Sequence, residues 1–378
     1  MAMVREAKQK IYKYDKSCRF SEKNDLIAYL QEEEAAKKDY ICPARDLSVL
    51  PDGKTLVMGN NEFRMIDLFH LQLASALKIP MQYYNAMRFK KPDLLAKNVN
   101  SWLSTIDKNY MLRTVAGKAR ALLSDSYCRI DNLEVVSAVL SAMSDIEEQD
   151  IECNLDFQFA RMNDEKLYLR FVSGRERICA SDRLAVGFVV SNSETGRGAV
   201  SIRTVLYTFS CSNGMLIGSD YFRERKTHVG NASQTFNENW EITTITDNRA
   251  FTSKLKDMIL CAIDEERFGR IVDKLAESAK THITGCVNDV IKAVGKEYEL
   301  RVYEQEKIFN YLLRGRDLSL YGLSNAVTRY SQDVEDHLRA TELEEIGWYI
   351  ATMETQKWEK INADCAVAVK VRMLESSV

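Results

Sequence analysis

The spacing of apolar residues changes twice along this chain of 378 residues. From about residue 66 to residue 150, apolar side chains recur every three to four positions, as in amphipathic helices. They then alternate with polar residues over 155–159 and again over 167–171, which is typical of strands. The helical spacing returns after residue 246. This order predicts an α+β fold with N-terminal helices, a central antiparallel β-hairpin sheet and a C-terminal helical region.

Turn and helix signals place the elements within this outline. Pro51-Asp52-Gly53 predicts a turn before a strand at 55–58, Pro80 ends one helix, and Pro92 opens the next. Asp131 or Asn132 can cap a third helix. Residues 163–164 and 193–198 predict the turns of two hairpins, and C-terminal helices are expected at 287–313, 320–330 and 332–355. We divide the chain into a basic lead-in with short strands (1–62), a helical part (63–150), the sheet (151–245) and a helical C-terminal part (246–378).

Composition narrows the classes of function. The formal net charge is −3, so any contact with nucleic acid must be local. The first ten residues are charged where a signal peptide would be apolar, and no stretch reaches the roughly 18 apolar residues of a membrane helix. Nine cysteines without a CxxC pair suggest reduced thiols. We therefore expect a cytoplasmic protein that does not contact a membrane.

Sequence motifs that would indicate catalysis are weak in this chain. Gly53-Lys54-Thr55 lacks the first glycine of a P-loop, and no GxGxxG occurs. Asp333, Asp336 and His337 could meet on one helix, but a solvated acidic helix explains them as well. The acidic run at 147–152 fits a polar connector better than a Mg²⁺ site. We expect no cofactor and no metal, and Cys211 with His228 is the one pair that could support a hydrolase.

Basic and aromatic residues interleave at several places, a pattern that suits phosphate neutralisation and base stacking. Tyr168 and Arg170 share the polar face of the first hairpin. Nearby acidic residues offset much of this charge, so salt-bridged hairpins would look the same. The candidate nucleic-acid-binding residues are Arg113, Lys118, Arg120, Tyr127, Tyr168, Arg170, Arg203, Tyr221, Arg223, Arg225, Lys226 and His228.

Several patches, in order along the chain, carry a family resemblance. They lie at residues 80–84 (PMQYY), 92–102, 113–127, 130–132, 211–214 (CSNG), 225–230 (RKTHVG) and 323–328 (LSNAVT). Together they resemble a phage/plasmid-related family that carries domain of unknown function 932. The resemblance implies one integrated domain over about residues 60–350 and a mobile-element context.

That context favours DNA replication, recombination or counter-defence over metabolism. We therefore predict a non-enzymatic protein that binds DNA, most simply single-stranded, for annealing, recombination or protection. The loose likeness of a hairpin sheet followed by a long helix to phage annealing proteins implies a homo-oligomer. The alternative is a protein-interaction module that acts on a host protein, such as a counter-defence or host-modulating factor, and the Cys/His hydrolase comes third.

Overall fold

A computed structural model describes residues 18–127, 129–150, 153–209, 213–218 and 248–375. It confirms the predicted α+β class. The strands form two six-stranded sheets, where the periodicity predicted one. We call them the N-terminal sheet and the hairpin sheet.

The described chain starts with β1 (Cys18–Phe20) and α1 (Lys23–Ala36), and the N-terminal sheet follows. Its strands are β2 (Lys37–Pro43), β3 (Leu47–Val49), β4 (Thr55–Met58), β5 (Asn61–Met65), β6 (Asn109–Val115) and β7 (Lys118–Ser124). They are ordered β2-β6-β7-β5-β4-β3, with β5 and β7 parallel and the other neighbours antiparallel. The strand predicted at 55–58 is confirmed, whereas β6 and β7 fall in a part that the periodicity predicted to be helical.

Three helices cover this sheet: α2 (Asp67–Ala76), α3 (Met81–Lys90) and α4 (Pro92–Leu103). Pro92 is the first residue of α4, as predicted, because proline needs no N–H partner in the first turn. Pro80, predicted to end the preceding helix, follows the end of α2 and immediately precedes α3, a helix that the sequence did not predict. Phe69, Tyr84 and Val99 from these helices pack on Leu56 and Leu112 in a core of its own.

The hairpin sheet follows α5 (Asn132–Gln149). Its strands are β8 (Leu155–Met162), β9 (Leu167–Cys179), β10 (Asp182–Asn192), β11 (Ser201–Thr208) and β12 (Asn213–Leu216), and β1 pairs with β8 at one edge. All neighbours are antiparallel, so both predicted hairpins are confirmed. The helix start predicted at residue 131 or 132 is also confirmed, with Asp131 as the N-cap residue.

The C-terminal part is helical, as predicted. It consists of α6 (Asn248–Ala262), α7 (Glu265–Ala279), α8 (Val287–Glu297), α9 (Val302–Gly315), α10 (Leu320–Tyr330), α11 (His337–Ala351) and α12 (Thr355–Glu375). The single helix predicted over 287–313 is two helices, because Glu304 accepts a hydrogen bond from the Arg301 backbone N–H and starts α9 anew. The helix predicted at 332 begins at His337, after a short 3₁₀ turn.

One face of the hairpin sheet forms the largest core. Phe171, Phe188 and Leu206 on that face pack against Val139 of α5 and Phe268 of α7. The last helices form a third core around Trp358 and Ile308. Within the described ranges, no helix is both long enough and apolar enough to cross a membrane.

Candidate functional site

The opposite face of the hairpin sheet collects arginines and aromatic rings. A register shift between Phe157 and Phe159 in β8 decides which side chains reach it. Phe157 packs with the core, while Phe159 turns to the other face together with Arg161. Across the strands, Arg161 pairs with Arg19 of β1 on one side and with Tyr168 of β9 on the other. We call this side of the sheet the basic face and define it by Arg19, Phe159, Arg161, Tyr168, Arg170 and Arg203.

Phe159 is surrounded by three guanidinium groups. Their central carbons lie 4.7 Å (Arg19), 5.2 Å (Arg161) and 4.9 Å (Arg170) from the ring centroid. These distances suit cation–π contact. Arg19 is exposed and Arg161 half-buried. Phe159 thus holds several positive charges close together at one edge of the sheet.

Two of the three cations of this cluster are not balanced locally. Within the described part of the chain, neither Arg19 nor Arg161 forms an ion pair with a carboxylate. Burial, Arg19 and Arg170 lower the pKa of Arg161, and only Glu344 opposes them. A group whose cationic form is disfavoured by its neighbours gains from the arrival of an anion. The cluster is therefore chemically suited to bind phosphate or carboxylate groups.

The basic charge continues across the sheet. Burial and the neighbouring Arg203 and Arg197 lower the pKa of Lys166, which precedes β9. Arg203 lies on β11 and pairs across the sheet with Val189, which in turn pairs with Arg170. The excess of positive charge therefore extends from the edge strand β1 toward β11.

Helix α11 lies against part of this face. Glu344 accepts a hydrogen bond from Arg170, and Glu345 accepts one of 3.3 Å from Arg203. Leu338 of the same helix packs on the apolar residues Val189 and Leu216. A narrow cleft remains between α11 and β8–β9, lined by Phe159, Arg161, Tyr168, Arg170, Thr341 and Glu344.

Arg170 fits under α11 because β12 has a glycine beneath it. A Cβ atom at Gly214 would lie 2.4 Å from an Nη atom of Arg170. The Asn213-Gly214 pair is part of a strand and so does not form the turn that its composition suggests. Gly214 is thus required for close packing of the arginine.

Two other predicted binding residues, Arg113 and Arg120, lie in a different place and are buried. They belong to a charge network that joins the N-terminal sheet to the 193–198 loop and consists of Glu33, Lys37, Asp39, Arg113, Arg120, Asp131 and Glu194. Arg113 donates to Asp39 at 2.9 and 3.0 Å and lies 2.7 Å from Asp131. Arg120 lies 2.7 Å from both Glu33 and Glu194. These contacts account for both arginines within the fold, so we do not carry them into the proposal below.

Glu194 is the centre of that network. Its carboxylate accepts hydrogen bonds from Arg120 (2.7 Å), Lys37 (2.9 Å) and the backbone N–H of Asn132 (2.6 Å). Burial alone would raise the pKa of Glu194, but Arg120 and Lys37 more than offset it and lower this pKa to about 2. Burial raises the pKa of Glu33, which shares the same Arg120 nitrogen. In the loop predicted as a hairpin turn, residues 193–195 are thus buried and anchor the loop, whereas residues 196–198 are exposed.

The remaining predicted residues divide into two groups. Tyr127 is half-buried and donates to the Ser193 carbonyl at 3.0 Å, and Lys118 is half-buried at the start of β7. Tyr221, Arg223, Arg225, Lys226 and His228 lie outside the described residues, as does Cys211, so the hydrolase pair does too.

The acidic candidates have structural contacts. Asp333 accepts from Tyr311 and lies 3.4 Å from Arg329, while Asp336 caps α11 by accepting from Leu338 N–H at 3.0 Å. Glu147, at the end of α5, accepts from Leu155 N–H at 2.7 Å, as expected of a connector. Across the described ranges, no group of three or more histidine, cysteine or acidic residues is arranged to hold a metal.

Comparison with protein families gives one match. Residues 121–359 fit the model of the family described as Domain of unknown function (DUF932). The match covers more than half of the chain. The chain belongs to this family. Searches of curated proteins and of solved structures found no match.

Most of the basic face lies in the part that matches the DUF932 family. Phe159, Arg161, Arg170 and Arg203 fall within residues 121–359, and so does Glu344 on α11. Arg19 lies before it. The sequence analysis predicted Tyr168, Arg170 and Arg203 as binding residues but not Arg19, Phe159 or Arg161. Strict alternation through the register shift assigns Phe159 to the apolar face.

Proposed function

We propose that this protein binds single-stranded DNA through the basic face and acts in annealing, recombination or protection of strands, without bond chemistry. The observation that carries the proposal is the pair of arginines, Arg19 and Arg161, that flank the Phe159 ring without an ion-pair partner in the described chain. The setting in a phage or mobile element, in the cytoplasm of a bacterial host, is part of the same proposal.

The chemistry of the face favours nucleic acid over a small anion. Guanidinium groups neutralise phosphates, and unpaired bases stack on aromatic rings or on guanidinium planes. Adjacent strands are about 4.8 Å apart, so Arg19, Arg161 and Tyr168 follow one another over roughly 10 Å across the sheet. A row of this kind tracks a flexible backbone, whereas the stacked bases of a duplex would not reach Phe159.

The charge of the whole chain makes this a local site. At a net charge of −3, no general attraction for DNA is expected, and binding depends on a few named side chains. Removal of a single arginine should therefore have a large effect. It should also lower the salt dependence, because each phosphate contact on a single strand contributes about 0.7 to the slope of log K against log salt.

The test is fluorescence anisotropy with labelled single-stranded and double-stranded oligonucleotides at about 50 and 200 mM salt. We expect the single strand to bind more tightly and the affinity to fall with salt. Arg161→Ala and Arg19→Ala should each weaken binding about tenfold. Arg64→Ala is the matched control, because Arg64 is an exposed strand residue of the N-terminal sheet. No binding at low salt, or equal affinity for Arg161→Ala and Arg64→Ala, would contradict the proposal.

We also propose that the active form is a homo-oligomer, since annealing brings two strands together. Light scattering of the full chain, alone and with a single-stranded oligonucleotide, tests this. The mass of a monomer under both conditions would contradict the proposed oligomer. It would not contradict the binding of single-stranded DNA, which anisotropy tests separately.

A further inference from the structure

Helix α11 brings two carboxylates to the arginines of the basic face. Glu344 contacts Arg170, and Glu345 contacts Arg203 at 3.3 Å. The two pairs differ in exposure. The side chains of Arg170 and Glu344 are each 6% exposed, whereas that of Arg203 is 19% and that of Glu345 is 25% exposed. One arginine of the Phe159 cluster is therefore already occupied by a carboxylate in the free protein, while Arg19 and Arg161 are not.

Arg170 keeps unused capacity to donate. Its Nε atom is buried and has no hydrogen-bond partner in the described chain, although one Nη atom contacts Glu344. A guanidinium has five donors, and a phosphate can accept two of them in parallel. Glu344 itself has a second contact, with Gln332 at 3.4 Å, which would remain if the carboxylate left Arg170.

We infer that Glu344 is an internal competitor for the phosphate backbone: it occupies Arg170 until a strand held by Arg19 and Arg161 displaces it. This inference rests on the proposed function. An isolated phosphate or a mononucleotide would have to break the buried pair unaided. A polynucleotide bound at the neighbouring arginines presents its next phosphate at high effective concentration. Glu344 therefore selects for linked phosphates.

The test is removal of the carboxylate charge with the shape retained. Glu344→Gln should bind a labelled oligo-dT about tenfold more tightly than the natural protein, with an unchanged slope of log K against log salt, because Arg170 contacts a phosphate in both bound complexes. Unlabelled thymidine monophosphate should compete for Glu344→Gln at lower concentration than for the natural protein. Glu342→Gln is the matched control, because Glu342 lies on the same helix, is 60% exposed and contacts Arg339 instead.

The outcomes separate the two proposals. If the natural protein binds oligo-dT and Glu344→Gln behaves like Glu342→Gln, the inference is wrong and the proposed function stands. If neither the natural protein nor any variant binds, the proposed function fails and the inference fails with it. Tighter binding by Glu344→Gln with no change for Glu342→Gln supports both.

A second variant is needed because Glu344→Gln leaves a buried guanidinium without its counter-charge and can prevent folding. Glu345→Gln frees the more exposed Arg203 and should be tolerated. We expect it to raise the oligo-dT affinity about threefold, again relative to Glu342→Gln. If Glu344→Gln does not fold, Glu345→Gln decides the matter. A folded Glu345→Gln protein whose affinity for oligo-dT is unchanged would then overturn the inference.

Discussion

The guanidinium carbon of Arg170 lies 4.9 Å from the ring centroid of Phe159, on the side of the hairpin sheet that faces away from its largest core. Phe157, two residues before Phe159 in β8, packs into that core. A single register shift thus sends two neighbouring phenylalanines to opposite faces, and only one of them meets the arginines.

This arrangement allows a matched pair of substitutions. Phe159→Leu keeps the apolar volume but removes the ring, so we expect oligonucleotide affinity to fall by about three- to tenfold through loss of stacking. Phe157→Leu is the control. It should lower the stability of the fold by about 1 kcal/mol and leave affinity unchanged. Anisotropy and chemical unfolding of both variants provide the comparison, and equal affinities would exclude a role for the Phe159 ring.

Gly214→Ala should destabilise the protein. The new Cβ would lie 2.4 Å from Arg170, which is held in place by Glu344, so the guanidinium has little freedom to move away. Overpacking of this kind costs about 1–3 kcal/mol. Gly315→Ala is the control, because nothing lies within 4 Å of that site. The measurement is the free energy of unfolding in urea, and the idea fails if the two variants have the same stability.

Glu194→Gln should lower the free energy of unfolding by more than a substitution at an exposed position does. The carboxylate accepts hydrogen bonds from Arg120, Lys37 and the first N–H of α5. Its loss removes the most buried counter-charge of both cations and leaves Arg120 with Glu33, and Lys37 with the more exposed Glu34 and Asp131. We expect a loss of about 3–5 kcal/mol in the free energy of unfolding. Glu62→Gln, on an exposed strand position, should change it by no more than about 0.5 kcal/mol.

Glu194 should also make the free energy of unfolding depend on pH. The pKa of Glu194 is about 2 in the folded protein and near the ordinary glutamate value of 4.5 when the chain is unfolded. The unfolded chain therefore takes up the proton first as the pH falls. The stability that Glu194 contributes is present above about pH 5 and is lost toward pH 2, by roughly 3 kcal/mol in total. Unfolding curves across this range should be flatter for Glu194→Gln, and parallel curves for the two proteins would contradict the assignment.

The elements that sequence reasoning located share strong local signals. Pro92 marks the start of α4, and the two alternating runs of the first hairpin form β8 and β9. The β6–β7 hairpin was missed for two physical reasons. Both strands are buried on both faces, so they do not alternate, and their turn places Ala116 as well as Gly117 at positive φ. Alanine is not a residue that signals such a turn.

The charged residues show where the candidate site could not be predicted. The sequence around Arg113 and Arg120 does not reveal that they are buried, because only tertiary structure brings Glu194 to them. Glu194 is more than 70 residues from either arginine, which no local pattern reveals. For Arg161 the missing information was the register shift, because one extra residue in a strand exchanges its two faces.

The contacts of Glu194 also decide which fragments of the protein can fold. The segment that matches the DUF932 family begins at residue 121, inside β7, and so excludes Glu33, Lys37 and Arg120. A fragment cut at that boundary would bury the Glu194 carboxylate without its cations and would expose an unpaired edge of β7. The homologous segment and the autonomous folding unit are therefore different stretches of this chain. A truncated protein intended for biochemistry should begin no later than β1.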